Sequence, residues 1–185
     1  VLYVSTIDQY KHQWSVVEAV ASLRREGFPV ALDLVGAAYP PALKRLNQVV
    51  DRLDVSGSWV SYLGAIPFDE VHLLYLNADL SLFASSCENM PNVLLETMAS
   101  GLPIVCSNRG PMPEVLGGGG VYFDPEQPDD IARAMRELIV SPQLRRDLSQ
   151  VSYLRAQQFS WQRCSVETFQ FLASSARDFN GLRDT

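Results

Sequence analysis

The chain is poor in the residues that most often carry chemistry. Of its 185 residues two are histidine, His12 and His72, and three are cysteine, Cys87, Cys106 and Cys164. Neither set has the spacing of a zinc or redox motif, and two histidines would need carboxylate partners that the sequence does not supply, so no metal site is expected. An odd cysteine count leaves one thiol unpaired in any disulfide scheme; reduced thiols in a cytoplasmic protein are the simplest account. Basic charge is scarce as well. Lys and Arg together number 15 against 21 Asp and Glu, a net charge of -6. With no basic stripe either, nucleic acid is not an expected partner. The pairs Arg24-Arg25 and Arg145-Arg146 fall in helical patterns and read as solvated helix faces. No apolar run approaches the roughly 18 residues that cross a bilayer, and no transmembrane segment or signal peptide is expected.

What is present points to one packed domain. Hydrophobic residues make up 47% and charged residues 19% of the chain, which excludes general disorder. The length suits a single α/β unit. The first residue is Val, and "VLYVS" already reads as a buried strand, so a preceding N-terminal domain is expected to be missing.

Apolar runs alternate with helical periods, which predicts an α/β fold: a Rossmann-like, doubly wound parallel sheet of about six strands with helices on both faces. Strands are expected over residues 1–5, 30–35, 59–63, 79–83, 103–106 and 121–123. Helices are expected over 14–26, from Pro40-Pro41 to near Leu53, and over 68–77, 92–100, 128–140, 142–157 and 161–175, with one helical turn at 113–116. Residues 1–175 form the expected domain and 176–185 a loose tail. In such a sheet ligands sit beyond the carboxyl ends of the strands, where the strand order reverses. The loops after strands one, four and five are therefore the ones to search.

The loop after strand four holds Glu88 and Glu96, separated by seven residues, around the string Asn89-Met90-Pro91-Asn92-Val93-Leu94. Pro91 fits the first helical position or the one before it. The amides of Asn92, Val93 and Leu94 are then expected to be unpaired at a helix N-terminus, where an anion such as a diphosphate can bind. Carboxylates repel phosphate, so the two glutamates suit hydroxyls: Glu96 a ribose diol, Glu88 a sugar beyond the phosphates. The spacing alone leaves a plain alternative open, Glu96 as an early-helix acid favoured by the helix dipole and Glu88 as an ordinary loop carboxylate. Four successive glycines, Gly117 to Gly120, permit either close backbone approach or a flexible connector. Trp14, Trp59 and Trp161 fit core or domain-packing positions, and Tyr10 is a candidate wall of the site.

The string "SSCENMPNVLLETMASGLPIVCSNRGPMPEVLG" resembles the donor-site signature of family 4 glycosyltransferases, in the variant where Asn follows the first Glu. The segment "LYVSTIDQYKHQWSVVEAV" is similar to that family's first strand, phosphate-contacting loop and first helix, and Trp161 after "FS" resembles the start of its last helix. The likeness spans about residues 1–175. It implies the C-terminal, donor-binding half of a two-domain GT-B enzyme that transfers a hexose-like sugar with retention. Carried over residue by residue, Glu88 contacts the transferred sugar and Lys11 neutralises the diphosphate. Asn89, Met90, Pro91, Asn92 and Val93 surround the sugar and distal phosphate, with Leu94 nearby, and Glu96 binds the nucleoside ribose. Where the family carries Arg, five residues before the lysine, this chain has Thr6 in the donor loop. A hydroxyl does not replace a guanidinium's charge, and Arg109 is a candidate for the missing cation.

The resemblance further implies no cofactor, with a nucleotide diphosphate sugar as substrate. It implies a glycan or lipid-linked acceptor reached through the missing N-terminal domain, an isolated fragment without activity, and a place in surface polysaccharide synthesis. The expected location is the cytoplasm, peripheral at the inner membrane face in the full-length protein. Two rival readings keep the fold: a sugar-nucleotide epimerase of the same build, and a non-enzymatic interaction module. The first lacks an evident acid/base set, and the second lacks the clustered aspartates of a signalling receiver.

Overall fold

The computed structural model of the protein describes residues 1–181. Its centre is a parallel six-stranded sheet of β1 (Leu2–Val4), β2 (Leu32–Val35), β3 (Val60–Tyr62), β4 (Ser81–Phe83), β5 (Ile104–Ser107) and β6 (Gly120–Phe123), in the order β3-β2-β1-β4-β5-β6. Around it lie α1 (Gln13–Arg25), α2 (Pro40–Leu53), α3 (Val71–Leu76), α4 (Asn92–Ser100), α5 (Met112–Leu116), α6 (Pro128–Val140) and α7 (Pro142–Ala156), with α8 (Trp161–Gly181) beyond them. The architecture is the expected α/β, Rossmann-like one, with helices on both faces.

The sequence dictates this layering directly. Strands β1, β4 and β5 are apolar and buried on both faces, as strands flanked by crossover helices must be. Edge strand β3 instead exposes Ser61 and Tyr62. On one face α1 packs between α2 and α6; on the other α4 packs against α3, α5 and α7. Leu32, Leu34, Leu82, Ile104, Val16, Val17, Val20, Leu94 and Met98, all almost fully buried, fill the space between sheet and helices.

The chain winds outward from β1 to β3, then returns to build β4 on the other side of β1. The strand order reverses between β1 and β4, and the loops leaving these two strands diverge there. Everything described below happens at that point.

Several boundaries differ from expectation. A 3-10 turn over Gln9–Lys11, capped by the Asp8 carboxylate, was not anticipated and sits in the loop after β1. Helix α3 begins at Val71 rather than 68, because residues 68–70 form turns. Helix α8 continues to Gly181 instead of ending near Ser175: from Ser175 to Asn180 no Pro or Gly interrupts it. The expected tail at 176–185 is therefore helical as far as Gly181, and 182–185 lie outside the described residues. Trp14 and Trp59 take the first of the two expected roles, core residues, whereas Trp161, 78% exposed at the start of α8, is not in the core. The glycine run is a packing device rather than a loose tether: Gly117 takes φ 59°, and a Cβ on Gly119 or Gly120 would stand 2.8 Å from the Ser152 Cα or 2.7 Å from the Ile104 carbonyl oxygen. No helix among the described residues is long and apolar enough to cross a membrane.

Candidate functional site

Two loops build the site. The first leaves β1, runs through Thr6 and the 3-10 turn, and enters α1. The second leaves β4 and enters α4. Ser86 of the second loop donates its amide to the Tyr10 carbonyl of the first, 2.8 Å away. This stitch brings Lys11 and Glu88, 77 positions apart in sequence, into a direct ion pair.

Lys11 is held with unusual firmness for a lysine. Its side chain is almost fully buried, and its ammonium lies 5.0 Å from the Tyr10 ring centroid and 5.4 Å from that of Phe83. Aromatic faces attract a cation, and desolvation strengthens that attraction. From beneath, the buried Tyr3 hydroxyl donates to the Lys11 carbonyl at 2.7 Å, fixing the backbone. Burial pushes the Tyr3 phenol far up, so that it stays neutral and available as a donor. Tyr10 thus forms a wall of the site.

The second loop is open. Cys87, Asn89 and Met90 are exposed and Glu88 is half-buried. Pro91 precedes the first helical residue, and no side chain caps α4. The amides of Asn92 and Leu94, expected to be unpaired, are not. Asn92 donates to the Met90 carbonyl at 2.9 Å across Pro91, whose φ of -81° and ψ of 74° are those of an inverse γ-turn. Leu94 donates to the Pro91 carbonyl at 2.9 Å, and its side chain is fully buried. Leu94 has neither amide nor side chain left for a ligand. Only Val93 of the three keeps an amide with no protein acceptor among the described residues, and it is joined by the amides of Cys87 to Met90. The open amides at this point are therefore those of the loop's backbone together with one helical amide.

Glu96 lies one turn into α4, half-buried near the Tyr75 hydroxyl, and no donor among the described residues reaches its carboxylate. Burial raises its carboxyl above the ordinary glutamate range. A half-buried carboxylate without a partner is an acceptor awaiting a donor.

Thr6 is exposed at the carboxyl end of β1, its carbonyl accepting from Gln13 Nε2 at 2.9 Å. Arg109, the candidate for the missing cation, is engaged by two carboxylates. Its guanidinium pairs with Asp124 at 2.8 Å and lies 3.9 Å from Glu126, on the loop after β6. Lys11 is the one buried cation where the two loops meet. His12 also joins the two loops, its Nε2 2.8 Å from Ser86 Oγ; sequence reasoning misses it, because this contact depends on a backbone conformation that residue identity does not encode.

Comparison with known proteins identifies the family and the fold. The profile of the family described as Glycosyl transferases group 1 matches residues 1–155. The O-antigen chain mannosyltransferase B of Escherichia coli is 33% identical over 123 residues, 66% of this chain and 32% of that protein. Anabaena HepE, whose crystal structure holds UDP and glucose, superposes with a TM-score of 0.82 at 23% identity, covering 94% of this chain and 47% of HepE. A crystal structure of the C-terminal domain of LpcC from Francisella tularensis, a glycosyl transferase group 1 family protein, has a TM-score of 0.75 at 21% identity, covering 85% of this chain and 84% of that one. The last two likenesses concern the fold. The chain spans about a third of the length of the mannosyltransferase and under half that of HepE.

Proposed function

The chain belongs to the Glycosyl transferases group 1 family, and from that premise we propose that it is the donor-binding half of a retaining, metal-independent hexosyltransferase of the family 4, GT-B kind. It takes a sugar from a nucleotide diphosphate donor and passes it to a glycan or lipid-linked acceptor held by a second domain. The pathway is assembly of a surface polysaccharide, in the cytoplasm or against the inner membrane face. The observation that carries this reading is the meeting of Lys11 and Glu88 at the strand-order reversal, beside a loop with open amides.

Each group then has a task set by its chemistry. In transfer the bond between the anomeric carbon and the distal phosphate oxygen breaks, and negative charge grows on the departing diphosphate. Lys11 and the amides of Cys87 to Met90 and Val93 stabilise that charge in place, which lowers the barrier without rearrangement. Glu88 accepts hydrogen bonds from hydroxyls of the transferred sugar, and Glu96 accepts from the ribose. Without a ligand, Lys11 and Glu88 satisfy each other. An incoming donor replaces both halves of the pair at once, phosphate for the ammonium and hydroxyls for the carboxylate. Thr6 lines the mouth without adding charge, so Lys11 is the cation that the loop after β1 supplies.

Titration calorimetry of the chain with UDP, GDP, ADP, UDP-glucose and GDP-mannose tests this. Binding of at least one nucleotide, abolished in Lys11→Ala, is expected; no heat with any of them at millimolar concentration overturns the reading. In the natural full-length protein Lys11→Ala is expected to lower kcat by about 10²–10³, the effect of removing one preorganised donor to a developing anion.

A further inference from the structure

His12 is the one non-glycine residue among those described that has a positive φ, 52° with ψ 32°. An L-residue is crowded there where glycine is not. His12 nonetheless occupies the joint between the 3-10 turn and α1, directly after Lys11. Its side chain is only 8% exposed, and its ring stands edge-on to that of Trp14, with centroids 6.1 Å apart. Strain of this kind persists only where the surroundings hold it, and it gathers at functional sites.

What the strained conformation secures is a bond across the two loops. His12 Nε2 lies 2.8 Å from Ser86 Oγ. Ser86 Oγ in turn donates to the Tyr10 carbonyl at 3.3 Å, and the Ser86 amide donates to the same carbonyl at 2.8 Å. A hydroxyl has a single proton to give. With that proton directed at Tyr10, Ser86 Oγ accepts from His12, and the imidazole carries hydrogen on Nε2. Three hydrogen bonds thus join Tyr10 and His12, the two neighbours of Lys11, to a serine two positions before Glu88. The Lys11–Glu88 pair is bracketed on one side by this clasp.

We propose that His12 is a positioning residue: through Ser86 it locks the loop after β1 to the loop after β4, so that the backbones carrying Lys11 and Glu88 stay in the relative position from which both side chains engage one donor in the transition state of sugar transfer. The inference rests on the function proposed above for that pair. A glycine at position 12 would relieve the backbone, and would release the clasp. Stability and activity are therefore expected to part company at this one position, which a merely structural histidine does not predict.

The test uses His12→Gly, Ser86→Ala and the double variant in the natural full-length protein, with UDP-glucose, GDP-mannose and ADP-glucose as donors. His12→Gly is expected to keep its melting midpoint while kcat falls about tenfold or more and donor KM moves little, the signature of an arrangement used only in the transition state. Ser86→Ala is expected to match it, and the double variant to be no worse than either, since both remove one clasp. Exchange of the Ser86 amide, read by magnetic resonance without any donor, is expected to quicken in His12→Gly. Unchanged kcat, additive losses or unchanged Ser86 exchange overturns the proposal. If the unaltered protein neither binds nor transfers from any donor, the functional reading of the pair falls, and with it this role for His12, whatever the exchange shows.

Discussion

Glu96 carries the clearest trade between stability and binding. Its carboxyl is held above the ordinary range by burial, so the folded protein binds that proton more tightly than the unfolded chain does. Raising the pH past the unfolded value therefore penalises the fold, and the penalty is complete above the raised value. Glu96→Gln removes it. The variant is expected to melt at a higher temperature than the parent at pH 7, with the difference vanishing below about pH 4, where both forms are neutral. The same change is expected to weaken nucleotide binding by about 1.5–3 kcal/mol, the contribution of a hydrogen bond to a charged acceptor. A melting point that is unchanged at pH 7, together with unchanged nucleotide affinity, would remove Glu96 from the site. At this scale much was legible. Glu88 and Glu96 stand out because their type and spacing suit one elongated ligand, and Lys11 because its loop resembles the family's phosphate-contacting loop. What was not legible depends on backbone angles: the left-handed His12, and the γ-turn at Pro91 that consumes the Asn92 amide.

Among the elements, the junction of β6 and α7 separates two readings of the glycine run. Gly118 has open space around its Cβ position, whereas a Cβ on Gly119 would collide with Ser152 near the C-terminal end of α7. Gly119→Ala must push α7 off the sheet and is expected to destabilise the protein by about 1–3 kcal/mol, the usual cost of overpacking. Gly118→Ala is expected to be neutral or slightly stabilising, because it only restricts the unfolded chain. Urea midpoints of the two variants decide between a built junction and a slack connector; equal behaviour means the latter. Arg155 reinforces the junction by donating to the Val115 carbonyl at 2.6 Å. Elements with long apolar runs or full helical periods were readable from the chain, because burial on both faces or on one stripe leaves a pattern. The 3-10 turn after β1 was not readable: its three residues carry no period, and a side-chain cap at Asp8 holds it.

On the scale of the molecule, one consequence of the sheet order is that the two loops of the site begin on adjacent strands yet belong to opposite windings. The alternation of strands and helices predicted a doubly wound sheet and narrowed the search to the loops after strands one, four and five. It did not predict how little α8 shares with the rest. Every described side chain from Trp161 to Arg177 is exposed, including Trp161, Val166, Phe169, Phe171 and Leu172, while the last buried residue of the core is Ala156. Helical periodicity shows that a helix has an apolar face, not what that face meets. A helix that buries nothing adds neither core nor cooperativity, since most helical stability in proteins comes from packing. Ending the chain after Phe159 is therefore expected to leave the denaturant midpoint and slope of residues 1–159 unchanged, within about 0.5 kcal/mol, because the slope follows the surface exposed on unfolding and α8 is already exposed. Full-length and shortened chains compared by urea unfolding, with tryptophan emission reporting the buried Trp14 and Trp59, provide the measurement. A clear drop in midpoint or slope would mean that α8 packs on the domain after all, and that the domain's boundary lies beyond α7.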